Sequence, residues 1–328
     1  MEYTHLGRTG LTVSRFAVGT MNFGWQTDEA ASVEILDDAL EHGVNFFDTA
    51  DIYAGGESER ILGRWLAQDP DRRDRVVVAT KAYNPTGSWP NSGGLSAKHL
   101  RKAAEDSLRR MQTDHIDLFQ FHHVDRTAPW DEIWEACERL VRDGKVLYVG
   151  SSNFAGWHLA AAQESARARH FLGLASEQSL YNLLERTVEL EVLPAAQHYG
   201  IGLLPWSPLA GGLLAGAAAK AGEGRRGDSS TLLEHDARTA RIQDNLTRLQ
   251  DYEALAAELD TTPTVLALAW LLHQPAVTAP VLGPRTLEQL TSSYPALELS
   301  LEDKTLQRLD ELFPGPGGPA PEAYTWST

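Results

Sequence analysis

The chain has one cysteine in 328 residues. That excludes an internal disulfide framework and suits a reducing compartment, so a cytoplasmic setting is expected. The opening stretch MEYTHLGRTG has no apolar h-region, and no signal peptide is expected. No apolar run approaches the ~20 residues that a membrane-spanning helix needs, so no membrane association is expected. Positive charge is scarce: 29 Lys and Arg stand against 45 Asp and Glu, for a net charge of −16. Such a chain repels phosphate backbones, which argues against a nucleic-acid partner, and the acidic excess favours solubility. Three catalytic signatures are also missing. There is no H-E-x-x-H for a metal site and no G-x-S-x-G elbow for acyl transfer. The first β segment runs into GTMNFG, which lacks the G-x-G-x-x-G spacing of a doubly wound dinucleotide fold.

Hydrophobic residues are plentiful, at 42%, enough for one large core or two medium ones. Two periodicities alternate along the chain. Short β-rich segments recur as RFAVGT, VNFFDT, VVVAT, IDLFQF, VLYVGS, LASEQS, IGLLPW and VTAPVL. Longer segments with helical spacing lie between them. In DEIWEACERLVRDG, Ile133, Trp134, Cys137, Leu140 and Val141 form one stripe, and Gly144 is placed to end the helix. In SAKHLRKAAEDSLRRM, Ser96 is a fair N-cap and Leu100, Ala104, Leu108 and Met111 line one face. The helix after the first strand is expected to open near Thr27 and Asp28 and to stop at Gly43.

Strands that are apolar almost throughout read as buried on both faces. Eight βα units of that kind predict an α/β fold, a closed (β/α)8 TIM barrel of ~250 residues. No fixed-period repeat or domain linker is evident, so residues 1–328 are read as one unit. The surplus length fits two insertions, YNPTGSWPNSGG after strand three and AGGLLAGAAAKAGEGRRGDSS after strand seven. The second is expected to be mobile from its Gly, Ala and Ser content. Residues 1–14 read as a β-hairpin around Gly7 and Gly10 that caps one barrel end. Residues 314–328, rich in Pro and Gly, read as an irregular tail.

In such a barrel the chemistry sits where strands run out at their C-terminal ends. Strand two offers Asp48 with Tyr53 just beyond, strand three Lys81 and strand four His122. Strand five offers Ser152 and Asn153, strand six Gln178, and strand seven Trp206 and Ser207. A free phenol, with a pKa of about 10, exchanges protons poorly at neutral pH. A nearby ammonium favours phenolate and is expected to lower that value, and Asp48 would be the counter-ion that keeps Lys81 charged. A histidine beside them could hydrogen-bond the same substrate oxygen. Because adjacent side chains of a strand face opposite ways, only one of His122 and His123 should face the barrel axis. The set suits reversible carbonyl reduction, provided something else supplies hydride. Each member has an ordinary reading as a cap, a packing aromatic, a snorkelling lysine or a core histidine. All of them together on three consecutive strand ends is a poor fit to accident.

These residues resemble the aldo-keto reductase superfamily across essentially the whole chain. GVNFFDTADIYAGGESE is similar to that family's second-strand signature. ATK, DLFQFHHVD, GKVLYVGSSNF, EQSLYNLLER, LPWSPLAGG and VLGPRTLEQL are similar to its later blocks in the same order. The opening resembles bacterial members related to potassium-channel β-subunits. The resemblance implies a barrel that reduces a small-molecule aldehyde or ketone with NADPH, NADH being the alternative. Tyr53 would be the general acid, Lys81 and Asp48 its tuning pair, and His122 the residue that orients the carbonyl. Ser152, Asn153 and Gln178 would hydrogen-bond the nicotinamide amide, and Trp206 would stack on its ring. Ser207, Leu209 and Gly211 would follow the pyrophosphate. Gly283 and Arg285 would meet the ribose 2′-phosphate, and Gln289 and Ser293 the adenine. The family commonly has Asn where this chain has Ser293, so adenine recognition is expected to be weaker or to use Ser292.

Trp25, Trp89 and the tail's Tyr324 and Trp326 are expected to wall the substrate pocket. The physiological substrate and the oligomeric state are not legible. Two other readings stay open. One is a cofactor-binding regulatory subunit with little turnover. The other is a Schiff-base aldolase with Lys81 as nucleophile, which would need neither Trp206, Arg285 nor Gln289.

Overall fold

The computed structural model describes residues 1–222 and 239–325. Eight parallel strands form the centre, labelled here β1 (Ala17–Gly19), β2 (Phe46–Asp48), β3 (Val77–Ala82), β4 (Ile116–Phe121), β5 (Val146–Ser152), β6 (Leu174–Leu180), β7 (Gly202–Trp206) and β8 (Val281–Leu282). Their order in the sheet is β8-β1-β2-β3-β4-β5-β6-β7. Val277, just before β8, closes the circle by bridging Leu203 of β7 in parallel, and the Thr278 amide donates to the Leu203 carbonyl at 2.8 Å. The result is the expected (β/α)8 barrel. The last strand is shorter than VTAPVL suggested because Pro280, within it, has no amide proton to give a ladder.

The helices begin and end where their caps dictate. Asp28 accepts from the Ala31 amide at 2.9 Å to start Glu29–Glu41, and Gly43, at φ 83°, turns the chain away from it. Ser96 accepts from the His99 amide to start Ala97–Met111. On Trp130–Arg142 the side chains of Ile133, Trp134, Cys137 and Leu140 are buried, and Val141 is half-buried beside them. Gly144, at φ 70°, follows that helix as expected.

Strand parity divides the apolar residues into two layers. Phe47, Val78, Phe119 and Phe121 point outward and pack under the helices. Phe46, Val77, Ala79, Leu118 and Leu204 point inward and share a cluster with Leu6 and Val13. Those last two come from the N-terminal hairpin, whose strands Tyr3–His5 and Thr12–Ser14 pair antiparallel. Gly7 lies at its turn at φ 56°, and a Cβ there would fall 2.5 Å from the Gly200 carbonyl oxygen, so only glycine lets the hairpin seat this closely. The hairpin therefore plugs the end of the barrel where the strands begin.

Two segments rich in small residues or proline carry short helical turns. The segment after β7 is helical in part: Ala210–Gly212 form a 3-10 turn and Ala217–Gly222 a short helix. Glu253 caps that helix by accepting from the amides of Ala218 and Ala219, at 2.8 and 2.9 Å. Its alanines favour helix over loose loop. The remainder, residues 223–230, lies outside the described residues, as does Trp326. The tail is irregular until Glu322–Thr325, which make one helical turn. Pro319 and Pro321 precede it, and proline is well tolerated at a helix start. Among the described residues no single helix is long and apolar enough to cross a membrane.

The plug makes a stability prediction. Leu6 is fully buried, so Leu6→Ala should cost about 2–5 kcal/mol of unfolding free energy. Urea unfolding measures this, and an unchanged midpoint would mean that the hairpin does not fill the barrel end.

Candidate active site

The end opposite the plug carries the polar residues. The same parity that buries Phe46 turns Asp48 inward, and the parity of Val77 and Ala79 turns Lys81 inward. On β4 the inward series is Leu118, then Gln120, then His122 just past the strand. His123 falls on the other side and packs at a tilt against Tyr83, with ring centroids 5.4 Å apart. On β6 the series is offset. A register irregularity opposite Val149/Gly150 leaves Ala175 unpaired, and both Ala175 and Gln178 end up on the barrel interior.

Tyr53 stands on a turn that strand geometry alone would not supply. Ala54, Gly55 and Gly56 all have positive φ, at 48°, 62° and 87°. This left-handed run reverses the chain after the phenol and delivers it to the helix Glu57–Ala67. A Cβ on Gly56 would lie 2.8 Å from Arg110 Cδ. The two glycines after the phenol thus serve a backbone course that bulkier residues resist.

Lys81 is the centre of the constellation. It is fully buried, and its Nζ donates to Asp48 Oδ2 at 2.5 Å, to the Thr49 carbonyl at 2.8 Å and to Tyr53 Oη at 3.3 Å. The other oxygen of Asp48 accepts from Gln120 Nε2 at 2.9 Å and from Gln178 Nε2 at 3.0 Å. Burial works to discharge the lysine, but Asp48 and Tyr53 outweigh it and raise its pKa, so the ammonium is retained. Tyr53 departs from expectation. Burial raises its pKa above the ordinary phenol value, and Asp48 and Asp51 add to that rise against the opposing pull of Lys81. The expected lowering neglected how deeply the phenol is enclosed. His122 is pushed down to about 3 by burial, Lys81 and His123, so its ring is neutral. It meets the Tyr53 ring edge-on, with centroids 5.9 Å apart.

One cavity of ≈ 1120 Å³ collects most of the singled-out residues. Asp48, Tyr53, His122, Ser152, Asn153, Gln178, Trp206 and Ser207 line it, as do Leu209, Gly211, Gly283, Arg285, Gln289, Ser292 and Ser293. Lys81 lies beneath its floor. Trp25 and Trp89 do not line it: they are 59% and 83% exposed, each held in a surface turn. Tyr324 does not line it either and is 68% exposed. Met21, Asn22 and Gln26 take the position expected of Trp25.

The polar wall is internally bonded. Ser152 Oγ donates to the Gln178 carbonyl at 2.8 Å, and Asn153 Nδ2 donates to Ser152 Oγ at 3.0 Å and to the His122 carbonyl at 3.1 Å. Trp206 Nε1 donates to Asn153 Oδ1 at 3.1 Å. Gln178 turns its amide nitrogen toward Asp48, which leaves Oε1 as an acceptor for a ligand's amide.

The cavity suits a nicotinamide dinucleotide. Its volume is slightly above the ~300–1,000 Å³ typical of small-molecule sites, as an extended dinucleotide would need. At Gly211, φ 66°, and at Gly283 nothing stands closer than 3.9 Å to where a Cβ would be, so the chain leaves open space along the groove. Arg285 has no carboxylate partner among the described residues, and its backbone is fixed by Gln289 Oε1 at 2.9 Å and Thr27 Oγ1 at 3.1 Å. A charged fork beside such a groove is suited to phosphate. Ser292 and Ser293 both donate to the Gln289 carbonyl, at 3.1 and 3.0 Å.

Several site residues escaped the sequence reading. Gln120 was findable as a polar residue on the inward parity of an apolar strand. Glu177 is fully buried and accepts from the Ser179 hydroxyl at 2.7 Å and the Phe154 amide at 3.0 Å, which holds the loop of Asn153. Burial pushes its pKa up to about 7. Asp51 is buried with neither carboxyl oxygen partnered among the described residues.

Comparison with known proteins agrees with this geometry. The model of the aldo/keto reductase family matches residues 15–313. The chain is 52% identical over 335 residues to a Bacillus subtilis (strain 168) protein named "Uncharacterized oxidoreductase YrpG", covering 99% of this chain and 100% of that one. It is 35% identical to a "Probable voltage-gated potassium channel subunit beta" of Oryza sativa subsp. japonica, covering 91% and 92% of the two chains. It is 31% identical to the versiconal hemiacetal acetate reductase of Aspergillus parasiticus, covering 95% and 97%.

Asp51 supplies a pH prediction. Burial, then Glu59, pushes its pKa up to about 7. The unfolded chain releases that proton near pH ~4, so between about pH 4 and 7 the folded state holds more protons and stability falls as pH rises. Asp51→Asn should remove this slope. Measured by urea unfolding, its stability at about pH 8 relative to about pH 5 should exceed the native protein's difference by roughly 2 kcal/mol. Parallel pH profiles for the two proteins would contradict the assignment.

Proposed function

Because this chain belongs to the aldo/keto reductase family, we propose that it is an NADPH-dependent oxidoreductase that reduces an aldehyde or ketone to an alcohol with Tyr53 as the general acid. The observation that carries this reading is the Tyr53 hydroxyl 3.3 Å from a buried ammonium that Asp48 holds at 2.5 Å, at the mouth of a dinucleotide-sized cavity. When bound, a reduced nicotinamide supplies the hydride that the carbonyl carbon receives. The chain's residues handle the oxygen. Tyr53 gives its proton to the oxygen as negative charge develops there, and the Lys81 ammonium stabilises the phenolate left behind. The raised pKa of Tyr53 keeps the proton in place until then. His122, neutral, hydrogen-bonds the same oxygen and orients it. Gln178, Ser152 and Asn153 would hold the nicotinamide, Trp206 would pack against it, and Arg285 would take the 2′-phosphate. The nicotinamide and the carbonyl compound are the only partners this reading requires.

A second reading, a nicotinamide-binding subunit with little turnover, is favoured by the similarity to a named potassium-channel β-subunit. An aldolase reading loses support. A Schiff base needs a neutral amine, whereas Lys81 is held charged by three hydrogen bonds and has no exposed surface.

Fluorescence titration with NADPH and NADH, followed by a panel of aldehydes and ketones, separates the readings. Tight NADPH binding with negligible turnover across the panel would favour the subunit. Tyr53→Phe should keep NADPH affinity while lowering kcat by ~100-fold or more; near-native turnover in that variant removes the acid assignment. Arg285→Ala should weaken NADPH binding by ~10–100-fold and leave NADH binding nearly unchanged. Equal losses for both cofactors would remove its phosphate role.

A further inference from the structure

We propose that Asn84 fixes the tautomer of His122, placing the ring proton on Nε2 so that His122 donates to the substrate oxygen. This rests on the reductase reading above.

Asn84 lies three residues past Lys81, where β3 gives way to the loop of residues 83–94. The loop's neck is closed by the Gly94 amide donating to the Tyr83 carbonyl at 2.7 Å. That closure sets the half-buried Asn84 side chain beside the barrel mouth, with its Nδ2 3.3 Å from His122 Nδ1. An amide nitrogen can only donate. Its partner must then be a ring nitrogen with a free lone pair, and a neutral imidazole with Nδ1 unprotonated carries its hydrogen on Nε2.

No other side chain among the described residues hydrogen-bonds the ring. The backbone of His122 is fixed separately, by its amide donating to the Ala82 carbonyl at 3.0 Å and its carbonyl accepting from Asn153 Nδ2 at 3.1 Å. The titratable groups around the ring are Lys81, Tyr53 and His123. None is an anion that would draw a proton to Nδ1. Lys81 and His123, together with burial, disfavour a second proton on the ring. With the ring neutral, its tautomer decides whether it can donate or only accept. A carbonyl oxygen is an acceptor, and only the Nε2–H form stabilises the charge that grows on it. The opposite amide orientation, with Oδ1 toward the ring, would hold the proton on Nδ1 and give the wrong form.

Histidine-selective ¹⁵N labelling and long-range ¹H–¹⁵N spectra read the tautomer directly, with His122 assigned by its absence from the spectrum of His122→Asn. The native protein should show an unprotonated Nδ1 and a protonated Nε2. In Asn84→Asp, an acceptor-only carboxylate should draw the proton to Nδ1 and bring the ring's titration into the neutral range. There kcat/KM should fall ~10-fold with a pH dependence that the native protein lacks. Asn84→Ala should show mixed tautomers and a several-fold smaller kcat/KM, with the NADPH Kd unchanged. A native ring protonated on Nδ1, or an Asn84→Asp variant with native tautomer and native pH profile, overturns the proposal. The tautomer is read without turnover. Failure of the native protein to reduce any carbonyl would therefore count against the reductase reading alone.

Discussion

An ammonium group with no exposure sits in the floor of this barrel because one carboxylate faces it at 2.5 Å. Removing an ion from water costs several kcal/mol, and the attraction of a partner compensates only when the remaining donors and acceptors are also satisfied. Here they are. Lys81 uses its three protons on Asp48, Thr49 and Tyr53, and Asp48 uses its second oxygen on Gln120 and Gln178. The pair thus ties together side chains from β2, β3, β4 and β6. Any change that loosens one of these strands exposes a charge that the interior tolerates only in this arrangement. The site and the upper half of the core are consequently held by the same contacts.

That arrangement depends on strands whose two faces have different tasks. Outward residues such as Phe47, Phe119 and Phe121 anchor the helices, while the inward ones change character along the barrel axis. Near the hairpin they are Val77, Phe46 and Leu204, packed on Leu6 and Val13. At the other end they become Asp48, Lys81, Gln120 and Gln178. The apolar half excludes water from beneath the ion pair, which strengthens it, and the polar half opens into the cavity. A strand of six residues suffices for both roles in β3, where Val77 and Ala79 pack and Lys81 is charged.

Much of this was legible in the sequence because it follows from period and chemistry. Eight apolar segments separated by helical ones implied the barrel. The fragment GVNFFDTADIYAGGESE placed an acid and a phenol where a strand must end, and parity allowed only one of two adjacent histidines to face inward. Other features depend on quantities that a sequence does not carry. The irregularity in β6 that lets both Ala175 and Gln178 face inward has no signal in LASEQSL. Trp25 and Trp89 suggested pocket walls by their size, but surface turns hold them in solvent. The direction of the Tyr53 shift was misjudged because it is a contest between an adjacent charge and depth of burial, and only the folded chain reports the depth. Asn84 was hidden in a loop of turn-forming residues, where its neighbours gave no hint that its amide meets a histidine.

Burial sets the proton affinities of the phenol and the imidazole at the proposed reaction centre, and it pushes them apart. The phenol is raised and the imidazole lowered, while the ammonium keeps its charge through Asp48. Such separation assigns roles among neighbours that free in water would compete for one proton. At neutral pH the phenol is the group able to give a proton away completely, because the imidazole has only its single N–H and no charge. The lysine cannot substitute for it: its release would leave Asp48 unpaired in the interior. An acid with a raised pKa is a weak one until negative charge appears beside it, and the Lys81 ammonium then stabilises the phenolate that results. The proton therefore leaves only as charge builds on the substrate oxygen, so under the reductase reading the depth that holds the phenol's proton also ties its release to hydride arrival.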